Sequence, residues 1–274
     1  MATNKVALVT GASSGIGAHT AQLLRERGFV VYAAARRVPA MSDLAEHGVR
    51  TLGMDVTDDA SMSSGVETIL ADEGRIDVLV NNAGYGSYGA VEQVPMAEAR
   101  RQFEVNVFGL ARLSQLVIPS MRERRSGRIV NVSSIGGRIY EPLGAWYHAT
   151  KFAVEGLSDS LRVELRPFGV RVVIIEPGPI LSEWNAIARD SMTATSAGSP
   201  YAQRAARMAH AFAEIDTSGR SSPPDVVAEK IVRAATVSRP RARYPVGRSA
   251  GTIVRARRLL PDWAFDRVIA RTFP

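Results

Sequence analysis

The chain has 274 residues, 46% of them hydrophobic and 22% charged, with no cysteine and a formal net charge of +7. This length and apolar content suit one large α/β domain; the lack of cysteine excludes disulfides, thiolate metal sites and cysteine nucleophiles. The charge is local: residues 239–274 hold nine arginines against Asp262 and Asp266, and the rest is balanced, which argues against a broad nucleic-acid surface. No apolar run approaches the roughly 20 residues that span a bilayer. Met1 to Lys5 lacks a signal-peptide pattern, so a soluble, cytoplasmic protein is expected.

In chain order, Val6 to Val9 reads as a buried strand, followed by glycine-rich residues 11–17 and a helix to about Arg27. Val30 to Ala35, Arg50 to Val56 and Asp77 to Asn81 give three further strands. A helix from about Met96 to Arg125 precedes a fifth strand ending at Val132. Another helix runs from about Ala145 to Arg166, and Arg171 to Ile175 is a sixth strand. Short apolar strands alternating with helices indicate βαβ units. Right-handed crossovers then predict a doubly wound, Rossmann-type parallel sheet of about seven strands, helices on both faces.

After Pro177-Gly178-Pro179 the alternation stops. Residues 182–222 are expected to be weakly structured, and their Trp184, Met192, Tyr201, Met208 and Phe212 suggest a lid over an apolar substrate. A helix from about Asp225, a strand at Arg243 to Val246 and a basic helical segment complete a single domain over 1–274. The last segment, Thr252 to Phe273, mixes apolar residues with arginine. Packing on the body is favoured for it over contact with a membrane surface.

Four features carry chemistry. Gly11, Ser13, Ser14, Gly15, Ile16 and Gly17 stand at the first strand–helix junction, where glycine lets backbone approach a pyrophosphate and the helix N-terminus favours an anion. The acid that would grip a ribose 2′-hydroxyl is missing at Ala35; Arg36 and Arg37 follow instead and suit a 2′-phosphate, hence NADP(H) over NAD(H). Asn82, Ala83 and Gly84 follow the fourth strand, and Asn106 is a polar residue amid apolar helix neighbours. Tyr147 and Lys151, four apart, share one helical face and pair a phenol with an ammonium that can lower its pKa. His148 beside them is expected to be structural or on the surface, and no histidine has metal-ligand spacing.

In this order and spacing, TGASSGIG at 10–17, Asp55, NNAG at 81–84, Asn106, Ser134, Tyr147, Lys151 and Pro177-Gly178 resemble the short-chain dehydrogenases/reductases, compact single-domain type. The resemblance covers residues 5–182. It implies Tyr147 as general acid/base, Ser134 on the substrate oxygen, Lys151 on the nicotinamide ribose, and Asn106 anchoring a relay water. It also implies Asp55 with Val56 at the adenine, and Pro177, Gly178, Ile180 and Ser182 near the carboxamide. Serine stands at 182 where the family more often has threonine. A homodimer or homotetramer is implied too, with a hydrophobic alcohol or carbonyl compound as substrate, no metal and no nucleic acid. A sugar epimerase fits poorly for want of a longer C-terminal domain. A catalytically silent NADP sensor is the alternative, against which the intact Asn106, Ser134, Tyr147 and Lys151 count.

Overall fold

The computed structural model describes residues 4–273; Met1 to Thr3 and Pro274, which the sequence reading includes in the domain, lie outside the described residues. The first half runs β1 (Val6–Thr10), α1 (Gly15–Glu26), β2 (Val30–Ala35), α2 (Ser42–Glu46), β3 (Arg50–Gly53), α3 (Asp59–Glu73), β4 (Val78–Asn81), α4 (Met96–Phe103) and α5 (Gly109–Glu123). The second half runs β5 (Gly127–Val132), α6 (Ala145–Leu165), β6 (Val170–Pro177), α7 (Glu183–Ser196), α8 (Ala202–Thr217), α9 (Pro224–Thr236), β7 (Arg243–Val246), α10 (Ala250–Leu259) and α11 (Asp262–Thr272).

Among the described residues the strands form one parallel sheet in the order β3-β2-β1-β4-β5-β6-β7. The order reverses between β1 and β4, so a crevice opens beyond their C-terminal ends, where such sheets bind ligands. Alternation along β1 explains the two-sided burial. Ala7 and Val9 join Leu24 of α1 and Val227 and Ile231 of α9 on one face; Val6 and Leu8 join Ile69 of α3 and Leu113 and Met121 of α5 on the other. Each fully buried Leu or Ile of these layers stabilises the fold by roughly 1.5–3 kcal/mol. Helix ends follow local chemistry: Asp58 accepts from the N–H groups of Ala60 and Ser61 to start α3, and Gly74, at φ +68°, ends it.

One polar chain crosses the second layer. Asn81 Nδ2 donates to Asn131 Oδ1 at 2.9 Å and to Ser114 Oγ of α5 at 3.2 Å; Asn131 Nδ2 donates to Ser158 Oγ of α6 at 2.9 Å.

Four expectations are corrected. The third strand stops at Gly53 rather than Val56, because the chain turns there toward the Asp58 cap. The helix expected from Met96 to Arg125 is interrupted by a wide turn at Glu104–Phe108. Residues 182–222 are largely helical, as α7 and α8, broken at Gly198-Ser199-Pro200; their methionines and aromatics bury against Tyr88, Leu143 and Tyr147, and that packing orders them. The basic tail is two helices, α10 and α11, because Pro261 cannot continue the first. Phe108, Phe152 and Val163, around α5 and α6, are exposed.

Candidate active site

The β1–α1 turn is built by steric necessity. Gly11 (φ +65°) and Gly15 (φ +54°) occupy the left-handed region. A Cβ on Gly17 would collide with the Gly11 carbonyl oxygen, and one on Gly11 would lie 2.9 Å from Ala83 Cα. The β4 edge clasps this turn: Asn82 Nδ2 donates to Thr10 O at 3.0 Å and to Gly11 O at 3.3 Å. In return, Thr10 Oγ1 accepts from the N–H groups of Asn82 and Ala83, both at 3.0 Å. Above Gly15 the nearest atom to an added Cβ is Ser182 Cβ at 3.9 Å. An anion can therefore approach α1, whose Ser14 side chain makes no cap bond. Ile16 packs into the core behind the turn.

Arg36 and Arg37 leave β2 exposed, beside buried Ala35. Arg37 Nη2 lies 3.4 Å from both Ser13 Oγ and Glu183 Oε2, and Ser14 Oγ donates to the same Glu183 oxygen at 3.3 Å. A carboxylate from the start of α7 thus sits on the glycine turn. Asp55 Oδ1 accepts from the N–H and hydroxyl of Thr57 at 2.9 and 2.8 Å. Burial alone would raise the Asp55 pKa, but those bonds and the positive Arg36 and Arg101 outweigh it and lower it. Val56 turns its carbonyl toward Gly109. On the far side, the Gly178 N–H donates to Val246 O at 2.8 Å, Ile180 is buried, and the Ser182 hydroxyl reaches back to Ile180 O. The glycine cradle and helix N-terminus fit a dinucleotide pyrophosphate, and the arginine pair fits an added phosphate.

Ser134, Tyr147 and Lys151 meet at the end of β5. Ser134 Oγ accepts from the Gly136 N–H at 3.0 Å and donates to Pro177 O at 3.4 Å; the hydroxyl also acts to lower the pKa of the Tyr147 phenol. Tyr147 and Lys151 are each only 7% exposed. Lys151 Nζ donates to Val132 O at 3.0 Å and lies 5.9 Å from the centre of the Tyr147 ring. A Cβ on Gly84 would stand 3.7 Å from that ammonium and 3.1 Å from Asn106 Oδ1, so the Asn82–Gly84 backbone lines the same space. Asn106 sits in the wide turn between α4 and α5. Its Oδ1 accepts from the Tyr85 N–H at 3.0 Å, while Nδ2 donates to Tyr85 O at 2.9 Å and Thr150 Oγ1 at 3.1 Å.

The sequence reading has Lys151 lowering the phenol pKa; burial acts more strongly here. It pushes the Tyr147 pKa well above the ordinary phenol range, against the lowering effect of the Ser134 hydroxyl and together with the nearby Glu141 charge. Burial also draws Lys151 down to about 8, against the attraction of Glu155. The lysine therefore releases its proton between about 8 and its ordinary 10.5 in the folded chain only. In that window the unfolded chain binds more protons, so stability rises with pH. Lys151→Met removes this cost. Its urea-unfolding stability, relative to wild type and without added nucleotide, is expected to be greater at pH 7 than near pH 10.5 by on the order of 3 kcal/mol. An equal difference at both pH values contradicts a buried ammonium.

Glu141, Glu155, Glu176 and Arg243 escaped the sequence reading, which does place Trp184 in the lid and Tyr88 near the pocket mouth. Trp184 of α7 lies 5.1 Å from the Tyr147 ring and Tyr88 5.7 Å from it; Tyr88 donates to Glu141 at 2.7 Å. His148 is buried, as expected of a structural residue: Nδ1 bonds Gly136 O at 2.8 Å and Nε2 accepts from the Glu141 N–H. Behind Lys151, buried Glu155 and Glu176 share Arg243, whose Nε lies 2.9 and 3.4 Å from their oxygens. Burial first, then the Glu155 charge, raises Glu176 to about 7. The spacing from Lys151 to Glu155 places both on one helical face, a signal available in the sequence; nothing comparable marks Trp184 as a neighbour of Tyr147. Among the described residues no cluster of three or more His, Asp or Glu could hold a metal. No helix there is long and apolar enough to cross a membrane.

The family model described as short chain dehydrogenase matches residues 5–193, which include the glycine turn, Asn106, Ser134, Tyr147 and Lys151. The chain belongs to the short-chain dehydrogenase family. Members are oxidoreductases that use nicotinamide cofactors and act on CH–OH or C=O groups. This short-chain dehydrogenase is 43% identical, over 174 residues, to a 3-ketodihydrosphingosine reductase of Bacteroides thetaiotaomicron; the match spans 64% of this chain and 63% of that one. It is 34% identical to an NADPH-dependent 3-dehydrocapnine reductase of Ornithobacterium rhinotracheale, over 96% of this chain and 95% of the relative. A solved short-chain dehydrogenase from Streptomyces avermitilis superposes with a TM-score of 0.79 at 34% identity, covering 98% of this chain and 95% of the other.

Proposed function

We propose that this oxidoreductase interconverts a hydrophobic ketone and its secondary alcohol with NADP(H), using Tyr147 as the proton donor or acceptor. The observation that carries this reading is the convergence of Ser134, Tyr147 and Lys151, with the Tyr147 ring buried under Tyr88 and Trp184. With a dinucleotide held by its pyrophosphate at the glycine turn, the nicotinamide would supply or accept the hydride.

In the reductive direction the Ser134 hydroxyl donates to the carbonyl oxygen and steadies the charge that grows there. Tyr147 delivers its proton to the same oxygen. A phenol held neutral by burial is in the donor state at neutral pH. Lys151 lies close enough to the Gly84 backbone to hold a ribose, and its positive charge would ease phenolate formation once the proton has left. The α7–α8 segment acts as the lid: Trp184 covers the phenol and excludes water. Two relatives, named as reductases of 3-ketodihydrosphingosine and of 3-dehydrocapnine, support a ketone as the group reduced. One of those names also specifies NADPH.

Cofactor choice would rest on Arg36 and Arg37. Replacing both with alanine is expected to lower kcat/KM for NADPH about 10–100-fold while changing that for NADH less than about threefold. Steady-state kinetics with both cofactors measure this, and an equal loss for the two sinks the 2′-phosphate assignment. The enclosing experiment is a screen of long-chain and aromatic ketones followed by NADPH absorbance. Turnover confined to small hydrophilic carbonyls overturns the hydrophobic reading. Exposed Phe108, Phe152 and Val163 suit self-association through α5 and α6. Phe108→Glu is expected to reduce the mass seen in sedimentation equilibrium, and an unchanged mass removes that face from the interface.

A further inference from the structure

We propose that the outward sides of α10 and α11 dock on an anionic lipid bilayer and hold the substrate pocket against it. The docking stands on these two helices alone; delivery of a lipid-borne ketone to Tyr147 rests on the reductase reading above.

The two helices sort their side chains. Toward the body, Phe265 is buried with Ile135 and Ile139, and Ile269 and Phe273 join the cluster around Tyr147, Met192 and Met208. The Phe273 ring meets Phe212 of α8 edge-on at 5.9 Å. Both acids of this region are already engaged: Asp262 accepts from Arg257 at 2.8 Å and Asp266 accepts from the Tyr140 hydroxyl at 2.7 Å. Arg257 itself lies over the Tyr140 and Phe265 rings.

What remains outward is cationic and apolar. Arg255, Arg258, Arg267 and Arg271 are exposed. Between them Leu259 is 81%, Trp263 69% and Val268 48% exposed. Leu259 and Trp263 are the most exposed large hydrophobic residues among those described. Neither is needed to fasten the helices, since the inner face does that. Exposed tryptophan and leucine ringed by arginine match the headgroup region, where an indole sits at the water boundary and guanidinium groups meet phosphates. A nucleic-acid backbone would match the arginines but leave Leu259 and Val268 unused. Because α11 also walls the aromatic cluster around Tyr147, a bilayer bound to its outer side lies one helix away from the reaction space.

The test is co-sedimentation of the full chain with vesicles of mixed phosphatidylglycerol and phosphatidylcholine, or of phosphatidylcholine alone. Binding to the anionic vesicles is expected at about 0.1 M salt and release at about 1 M. Each arginine near such a surface is worth about fivefold in partitioning. Replacing Arg255, Arg258, Arg267 and Arg271 with glutamine should abolish sedimentation, and Leu259→Ser with Trp263→Ala should weaken it at least tenfold. NADPH turnover of a water-soluble ketone should be unchanged in both variants, showing that the fold is intact. Failure to sediment with anionic vesicles, or sedimentation indifferent to Leu259 and Trp263, overturns the docking. So does tighter binding to a DNA duplex than to the vesicles. If docking holds but a vesicle-embedded long-chain ketone is reduced no faster than by the Leu259/Trp263 variant, the delivery step falls. If no ketone is turned over while docking holds, the reductase reading falls instead.

Discussion

Tyr147→Phe is expected to lower kcat about 10²–10⁴-fold while leaving NADPH affinity within about threefold of wild type. The substitution removes one oxygen and keeps the ring that packs against Trp184 and Tyr88, so the pocket should hold its shape. The lost hydroxyl is the group whose pKa Ser134 acts to lower and which burial keeps protonated. Without it, a carbonyl oxygen on Ser134 gains charge with no proton arriving. Stopped-flow reduction with saturating NADPH separates this step from cofactor binding. A variant that reduces its best ketone within tenfold of the wild-type rate would falsify the acid assignment.

Gly17→Val should do comparable damage by a different route. The first added carbon already overlaps the Gly11 carbonyl oxygen and approaches the Asn82 amide at 2.7 Å. Neither neighbour is a flexible side-chain end: Gly11 is held in the left-handed region, and Asn82 is bonded to Thr10 and Gly11. Relief must come from displacing the β1–α1 turn, costing about 1–3 kcal/mol or more. NADPH affinity is expected to fall at least tenfold, because the backbone amides that would face the pyrophosphate move with the turn. Urea unfolding and fluorescence titration measure the two effects. Normal affinity in the variant would mean that the turn does not touch the cofactor.

How much of this was legible varied with the range of the interactions concerned. The parallel sheet follows from short Val- and Ile-rich runs alternating with helices, a pattern set by two-sided burial; its strand order does not, because any order keeps that pattern. The glycine turn, Ala35 with its two arginines, and the Tyr147–Lys151 spacing are local signals and were readable. The wide turn at Glu104–Phe108 was not, because the slip in apolar phase that one added residue causes is too small a signal over a five-residue turn. Residues 182–222 looked loose because serine, threonine and alanine carry weak periodicity. Their order comes from Met192 and Met208 burying with Tyr88, Leu143 and Tyr147, from 45 to 120 positions away in the chain. Glu155 was within reach from its spacing to Lys151; Glu176 and Arg243 become its partners only when β6 and β7 pair. Trp184 could be guessed to be apolar cover, but its station above Tyr147 is a tertiary fact.

The hydrogen-bonded chain from Ser114 through Asn81 and Asn131 to Ser158 bears on how two helices are indexed along the sheet. Leucine and valine packed on strands resist separation far more than they resist sliding, since most contacts are remade a short way on. A hydrogen bond of about 3 Å has no such tolerance, and each residue of slip moves a helix by about 1.5 Å. Ser114 follows Asn106 by eight residues, and Ser158 follows Lys151 by seven, about two turns in each case. The polar chain thus acts as a depth stop. It sets how far Asn106, on one side, and Tyr147 and Lys151 of α6, on the other, project past the strand ends, and so whether groups on two separate elements arrive at one height.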